Sequence, residues 1–357
     1  MAVYSAFQPR DHYESVTYTG TSSGAKTVTG VNFQPDNIWF KLYSGTYAWA
    51  CLDSLRGVTS ILELDNTGAA ATNSNYLASF DSGGFTTTAT QDTGTNSSGG
   101  TYMAYSWKAG TTSGITTDGS TTITPNSYSF NQTGGFSIIN FDGNETSGAG
   151  IPHGLGVAPD AVIVKAYAGP GGADAWNGYN VGAGNTYRSG WDRTAIPNTG
   201  AGYWNNTTPD SVNVYLGNDG SANGPNTYTA YCFAQKSGFS KFGKYKGTGS
   251  GSVAAASGGA NIYCGFRPAF VVVKGLTAIH NWVDVDKVRQ GYNHGNYIMH
   301  PNTTGGSYAS DWIDIMSWGF KTVDSDSNVN NSAQEYLYWA WAEFPTVSSN
   351  GMPVVAR

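Results

Sequence analysis

The sequence repeats one small set of polar and aromatic residues at matching spacing. Each copy has a tryptophan, an aspartate four residues later and an arginine three residues after that. Sugar-binding sites commonly stack sugar rings on aromatic side chains next to polar groups, so these residues are candidates for a ligand-binding rim. The candidate residues are Trp49, Asp53, Arg56, Trp282, Asp286 and Arg289.

A structural interpretation of the same residues competes with the binding rim. An exposed Asp–Arg pair contributes only about 0 to 1 kcal/mol, but it can fix the geometry of a loop. Tryptophan is also highly buried on average. We favour this interpretation, in which the ion pairs fasten loops and the tryptophans lie in a core. By sequence position, Asn177 is the counterpart of the aspartates in a third copy that has no matching arginine.

No metal or cofactor is predicted. The stretch "HNWVDVDKVRQGYNHGNYIMH" contains His280, His294 and His300 beside two aspartates, but the spacings match no metal-binding rule. The segment "DSDSN" at 324–328 lacks the glycine and the closing glutamate of a calcium loop. We therefore expect a turn or an edge loop at 324–328.

Catalysis is not predicted either. Glycoside hydrolysis needs two placed carboxylates, and no spacing selects a pair among the candidates Asp53, Glu63, Asp286 and Glu335. The sequence has no P-loop and no GxGxxG after a strand. We expect a protein that is not an enzyme and has no catalytic residues.

The composition is typical of an all-β protein with a neutral or protein partner. Charged residues make up 12% of the chain, aromatics make up 14%, and there are 48 glycines. The net charge is −6 and the 18 lysines and arginines are scattered, which argues against nucleic acid and membrane insertion. The three cysteines match no disulfide or zinc pattern and are expected to be buried. The first residues lack a secretory signal pattern, so a cytoplasm is the expected site of folding.

One phrase occurs three times and divides the chain. "FQPDNIWFK", "VAPDAVIVK" and "FRPAFVVVK" each place a lysine six residues after a proline. The closing segments "TYMAYSW", "TYTAYCF" and "EYLYWAW" begin at nearly equal distances from those prolines. Regular self-similarity of this kind indicates repeated structural units. The anchors of the repeat are Pro35, Lys41, Pro159, Lys165, Pro268, Lys274, Tyr102, Tyr228 and Tyr336.

The repeats predict three tandem antiparallel β-sandwich domains of jelly-roll or lectin-like topology, each with its own core. Unit one covers 1–110 and includes a short N-terminal arm, or else the start of the first strand. Residues 111–128 form a linker or an added hairpin, unit two covers 129–238, and unit three covers 239–357. The repeated strand is apolar on both faces, which predicts a central strand of a covered sheet, and its final lysine is expected to meet water.

The run "YTG…GVNFQPDNIWFK…LDSLRG…SFDSGGF…TYMAYSWKAG" resembles an uncharacterised module of structural proteins in marine tailed bacteriophages, both tail-fibre-like and head-associated. The resemblance is close over 13–110, looser over 239–345 and weakest over 136–238. It implies a virion component assembled in the host cytoplasm, with capsid or tail proteins as partners and host surface glycans as a candidate ligand. A capsid knob or decoration protein and a short tail appendage or fibre component both remain open. The alternative is a free carbohydrate-binding protein or glycosidase.

Overall fold

The structure is a computed structural model. It describes residues 7–90, 92–171, 174–252, 257–289, 293, 297–343, 346–347 and 353–354. Regular structure in these residues is almost entirely antiparallel strand, which confirms the all-β prediction. The exceptions are a 3₁₀ turn at Pro9–Asp11 and two one-turn helices. None of the helices in these ranges is long and apolar enough to cross a membrane.

Unit one is built from a long sheet and a short one. The long sheet has the order β1-β9-β3-β4-β5-β6, and the short sheet has the order β2-β8-β7. The strands are β1 (Tyr13–Thr19), β2 (Thr27–Thr29), β3 (Asn37–Leu42), β4 (Ala50–Asp53), β5 (Ser60–Glu63), β6 (Ala71–Thr72), β7 (Leu77–Asp81), β8 (Gly84–Thr87) and β9 (Thr101–Trp107).

Unit two repeats the arrangement. Its long sheet has the order β10-β11-β18-β13-β14, and β12 pairs with β17 in the short sheet. Its elements are β10 (Ser127–Asn131), β11 (Phe136–Asp142), β12 (Ala149–Pro152), β13 (Ala161–Ala168), β14 (Asn177–Asn180), β15 (Tyr187–Arg188), β16 (Asn198–Thr199), α1 (Ala201–Trp204), β17 (Asn213–Leu216), α2 (Gly220–Asn223) and β18 (Thr227–Phe233).

Unit three has the order β19-β29-β23-β24 in its long sheet and β22-β28-β27 in its short sheet. Its strands are β19 (Ser240–Lys246), β20 (Gly251–Ser252), β21 (Ser257–Gly258), β22 (Asn261–Tyr263), β23 (Pro268–Gly275), β24 (Trp282–Asp286), β25 (Tyr297–Ile298), β26 (Tyr308–Ala309), β27 (Ile313–Met316), β28 (Gly319–Thr322) and β29 (Glu335–Ala342). Two short strands follow, β30 (Thr346–Val347) and β31 (Pro353–Val354).

The repeated phrase forms β3, β13 and β23, each of which lies between the closing strand and the following strand of its long sheet. The prediction of a central strand buried on both faces is therefore confirmed. Ile38 and Phe40 face a core within unit one, whereas Trp39 points to the opposite face. The same parity places Val162 in the core of unit two, because alternate residues of a strand point to opposite faces.

The second face of each long sheet contributes to a core that all three units share. One hydrophobic cluster contains residues of unit one, unit two and unit three, and it exists beside the separate cores of units one and two. At its centre are the last residues of β9 and β18 and the aligned residue of β29. The ring centroids of Trp107 and Trp341 are 5.3 Å apart, and Phe233 lies 6.1 and 5.5 Å from them. Three equivalent residues in mutual contact define a pseudo-threefold axis.

The segment 111–128 packs on unit two. Thr111 bridges Phe130, and Ile123 is buried in the unit two core. Only the last two residues of the segment, Ser127 and Tyr128, lie in a named strand, where they begin β10, which pairs with β11. In the N-terminal segment, the ring of Phe7 lies 5.3 Å from Phe239 of unit three, and residues 1–6 of the expected arm lie outside the described residues.

Candidate functional site at the contacts between the units

The lysine that ends each repeated phrase is buried. Lys41, Lys165 and Lys274 are each 0% exposed, so the expectation that they meet water is wrong. Strand parity turns each side chain toward the shared core, where it reaches the neighbouring unit. Each ammonium group donates to one carbonyl oxygen of its own hairpin, on Tyr47, Asp174 and His280 respectively.

Each ammonium group also donates to a carbonyl oxygen of a different unit. Lys41 donates to Thr304 at 2.7 Å, which joins unit one to unit three. Lys165 donates to Thr67 at 2.8 Å, which joins unit two to unit one. Lys274 donates to Thr194 at 2.9 Å and so joins unit three to unit two. The three contacts run in the same direction around the molecule.

Burial changes the protonation of these lysines because it removes water from the charged group. It lowers the pKa of Lys41 and of Lys165 to about 8, and the pKa of Lys274 to about 7. The acceptors in the immediate contacts are carbonyl oxygens, which stabilise the ammonium group less than a carboxylate would.

A tryptophan makes a second repeated contact beside each lysine. The indole nitrogen of Trp49 donates to His300 at 3.2 Å, that of Trp176 to Glu63 at 2.8 Å, and that of Trp282 to Gly190 at 2.8 Å. Each accepting residue precedes the lysine's acceptor by four positions. Both contacts therefore follow the same order of units, and the chain closes into a ring of three.

The Asp53–Arg56 pair lies where unit one meets unit two. Arg56 Nε is 2.6 Å from Asp53 Oδ2, and the two side chains are 1% and 0% exposed. The hydroxyl of Tyr231, from unit two, donates to the same carboxylate oxygen at 2.7 Å. Burial alone would lower the pKa of Arg56, but the attraction of Asp53 outweighs it and raises that pKa. The pair is an internal cross-link rather than a surface ion pair.

A related cluster joins unit three to unit one. Arg289 pairs with Asp286, and its Nη2 lies 2.9 Å from Asp284 Oδ1. The hydroxyl of Tyr105, from unit one, lies 2.9 Å from Asp284 Oδ2 and 3.0 Å from Asp286 Oδ2. Burial raises the pKa of Asp284. Arg289 acts against this shift, and the nearby Asp286 carboxylate adds to it. With all three groups ionised, the cluster has one more carboxylate than guanidinium.

The contact of units two and three has no Asp–Arg pair at the equivalent positions. In the strand register, Asn37 opposes Asp53, and the equivalent Ala161 opposes Asn180. The structural counterpart of the aspartates is therefore Asn180, and the assignment to Asn177 is wrong because the hairpin of unit two is three residues longer. Asn180 donates to the carbonyl oxygen of Tyr338 at 3.4 Å, and Trp339 stands in β29 where the other closing strands have tyrosine.

The six candidate ligand-binding residues thus lie in the contacts between units. Trp49, Trp282, Asp53 and Asp286 are 0% exposed, and the side chains of Arg56 and Arg289 are each 1% exposed. An exposed rim of stacking aromatics is incompatible with this burial, so the structural interpretation of these residues is the one the geometry supports. The three cysteines are free and buried, as predicted.

A repeated asparagine is a structural feature that the sequence interpretation missed. Asn96, Asn223 and Asn330 are each 0% exposed, and each side-chain oxygen accepts a backbone N–H at 2.8 Å from the loop after the unit's first long strand. Each asparagine follows an aspartate by four residues and precedes the closing-strand tyrosine by five or six. That D-x-x-x-N pattern is visible in the sequence and could have found them. Asp326, in the "DSDSN" segment, is the aspartate of the third copy.

The histidine-rich stretch forms no metal centre in the described part of the chain. No group of three or more histidine, cysteine, aspartate or glutamate residues there could hold a metal ion. Burial lowers the pKa of His300, whose ring bonds to Trp282 and Tyr308. His294 lies outside the described residues.

The fold and these contacts define an all-β protein of three repeat units closed around a pseudo-threefold axis by buried lysine and tryptophan side chains. One family model, described as a domain of unknown function (DUF7483), matches residues 8–345 and so spans all three units. The chain belongs to the DUF7483 family. No curated protein and no solved structure matches the chain.

Proposed function

We propose that the chain is a non-enzymatic structural protein of a tailed-bacteriophage particle. It would be exposed on the particle as a capsid knob or decoration protein, or as a short tail appendage or fibre component. Its partners would be other capsid or tail proteins, and assembly would take place in the host cytoplasm. The resemblance of residues 13–110 to a module of such proteins supports this location.

The observation that carries the proposal is the use of the repeated polar residues. The three lysines and three tryptophans of the ring all donate to main-chain carbonyl oxygens of a neighbouring unit. The Asp–Arg pairs are likewise bound to tyrosines of a neighbouring unit. The repeated lysines, tryptophans and Asp–Arg pairs therefore hold the units together, as expected of a structural protein.

Mass spectrometry of purified particles tests the proposal. Particles banded in a density gradient should contain the chain at a fixed ratio to the major capsid protein, in successive preparations. A fraction of equal density from uninfected host cells is the control. A large copy number would indicate a capsid location, and a few copies would indicate a tail location. Recovery of the chain only in the particle-free supernatant would refute the proposal and favour the free carbohydrate-binding alternative.

A further inference from the structure

The contact of units three and one joins the first and the last unit of the chain. Consecutive units are linked by the chain itself, whereas units three and one are held by non-covalent contacts. Among these are backbone hydrogen bonds from Tyr47 N to Thr304 O at 2.9 Å and from Ser307 N to Tyr43 O at 2.8 Å. This contact is therefore the place where the ring can open while the chain stays intact.

At this contact, one tyrosine hydroxyl lies within hydrogen-bond distance of two carboxyl oxygens. Tyr105 Oη is 2.9 Å from Asp284 Oδ2 and 3.0 Å from Asp286 Oδ2. A hydroxyl group has one proton, so it can donate a straight hydrogen bond to one of these oxygens. The other oxygen needs a proton of its own, because two oxygen atoms with no hydrogen between them repel each other at this distance.

The remaining contacts place the additional proton on Asp284. Asp286 accepts two backbone N–H groups at 2.8 Å each and Nε of Arg289, and these donors stabilise it as a carboxylate. Asp284 Oδ1 accepts from Arg289 Nη2 at 2.9 Å and from Met299 N at 3.0 Å, whereas Oδ2 faces Tyr105. The result is a chain in which Asp284 Oδ2–H donates to Tyr105 and Tyr105 donates to Asp286.

The pseudo-threefold axis provides an internal comparison for this proton. In the strand registers, the positions equivalent to Asp284 are Cys51 and Gly178, which carry no carboxyl group. At the contact of units one and two, the Cys51 thiol donates to Tyr231 Oη at 3.4 Å, and Tyr231 donates to Asp53. Burial raises the pKa of Cys51, so this thiol keeps its proton. A protonated Asp284 reproduces the same chain of donors.

We propose that Asp284 is protonated in the folded protein and that its proton latches unit three to unit one. Burial raises the pKa of Asp284, which supports the assignment. With Asp284 neutral, the cluster balances one guanidinium against one carboxylate, as the Asp53–Arg56 pair does. Loss of the proton places a net negative charge between the two units and weakens their contact. The titratable groups that interact electrostatically with Asp284 are Arg289, Asp286, Tyr105, Tyr13, Lys41 and His300.

The matched variants Asp284→Asn and Asp286→Asn test the assignment in the full chain. An asparagine amide imitates a protonated carboxyl group, because its oxygen accepts and its nitrogen donates. Asp284→Asn should therefore keep the contact with Tyr105 and be at least as stable as wild type at pH 7. Asp286→Asn removes the carboxylate that pairs with Arg289 and should lower the denaturation midpoint. The infrared spectrum of the wild type at pH 7 should contain a protonated-carboxyl band that Asp284→Asn lacks.

The pH dependence of stability gives a second measurement. Because the folded state binds this proton more tightly than the unfolded state does, its contribution to stability is complete below about pH 4 and is lost as the pH rises. Relative to Asp284→Asn, the folding equilibrium constant of the wild type should fall about tenfold for each pH unit above about 4, until the folded protein loses the proton.

Hydrogen exchange shows whether the effect lies at the contact of units three and one. The amides of Tyr47 and Ser307 cross this contact, and the amide of Ala70, which donates to Tyr167 O at 3.0 Å, crosses the contact of units one and two as the control. From pH 5 to pH 7, protection of Tyr47 and Ser307, corrected for the intrinsic exchange rate, should fall by up to about a hundredfold in the wild type. It should stay constant in Asp284→Asn, and that of Ala70 should stay constant in both proteins.

Three results would each overturn the proposal. They are a protonated-carboxyl band of equal intensity in wild type and Asp284→Asn, equal destabilisation by Asp284→Asn and Asp286→Asn, and protection of Tyr47 and Ser307 in the wild type that does not change with pH. The infrared and exchange measurements on wild type and Asp284→Asn decide the question even where Asp286→Asn fails to fold.

Discussion

Replacing Lys274 by methionine is expected to remove a pH dependence from the free energy of unfolding. Burial lowers the pKa of Lys274 to about 7, whereas an unperturbed lysine in the unfolded chain has a pKa of about 10.4. The unfolded state therefore binds the proton more tightly, and stability rises with pH between these two values and is lost as pH falls through 7. Methionine has no proton to bind, so its variant lacks this contribution.

The magnitude follows from the two pKa values. Integrated from roughly pH 6 to pH 9, the lysine should add about 2.7 kcal/mol to the difference in unfolding free energy between wild type and Lys274→Met. Lys41→Met and Lys165→Met should show about half of that, about 1.4 kcal/mol, because burial lowers those two pKa values only to about 8. Other titrating groups are common to both proteins and cancel in the difference.

Guanidinium denaturation followed by tryptophan fluorescence, repeated across this pH range, measures the difference. Lys246→Met is the control, because Lys246 is exposed at the end of β19 and its variant should follow the wild-type pH profile. A difference that stays constant from pH 6 to pH 9 for Lys274→Met would refute the reasoning. It would show that the carbonyl acceptors compensate fully for the lost hydration of the ammonium group.

Two further predictions concern the other contacts. Arg56→Met should destabilise the fold by about 3 to 5 kcal/mol, because it leaves the Asp53 carboxylate buried without its cation. Adding Asp53→Asn and Tyr231→Trp to Arg56→Met, which imitates the contact of units two and three, should restore most of the loss in denaturation midpoint, and no recovery would contradict the equivalence of the contacts. Val271→Asp should abolish cooperative unfolding, since it buries an unpaired charge in β23, whereas Pro268→Ala at the strand's start should be mild. Equal melting temperatures for these two variants would show that the strand assignment is wrong.

The sequence was sufficient to predict the repeated strands and their central position in a sheet, because both depend on the local pattern of apolar residues. Ile38 and Phe40 point to one face of the sheet and Trp39 points to the other. Apolar residues on both faces indicate that both faces of the sheet are covered. What covers the second face could not be predicted from one unit. Trp39 packs in a core assembled from three units, and its contact with Trp191 of unit two joins residues that are more than a hundred positions apart in the sequence.

The buried lysines also depend on contacts between units that the local sequence does not predict. A lysine at the end of an apolar strand is normally solvated, since burying its charge without acceptors is costly. Lys41 is buried because Thr304 supplies a carbonyl oxygen from another unit, and local sequence carries no sign of that contact. The Asp53–Arg56 pair was predictable as a local pair, but the tyrosine that completes it belongs to unit two. The D-x-x-x-N pattern, in contrast, was fully visible.

Fusion of three units in one chain explains why the three contacts differ. In a trimer of identical chains, any substitution at a contact would appear three times, so a change that opened one contact would open all of them. In this chain the three contacts vary independently. The contact of units one and two contains Asp, Arg and Tyr, that of units three and one adds a second aspartate, and that of units two and three has Asn and Trp. The lysine and tryptophan contacts persist at all three and maintain ring closure.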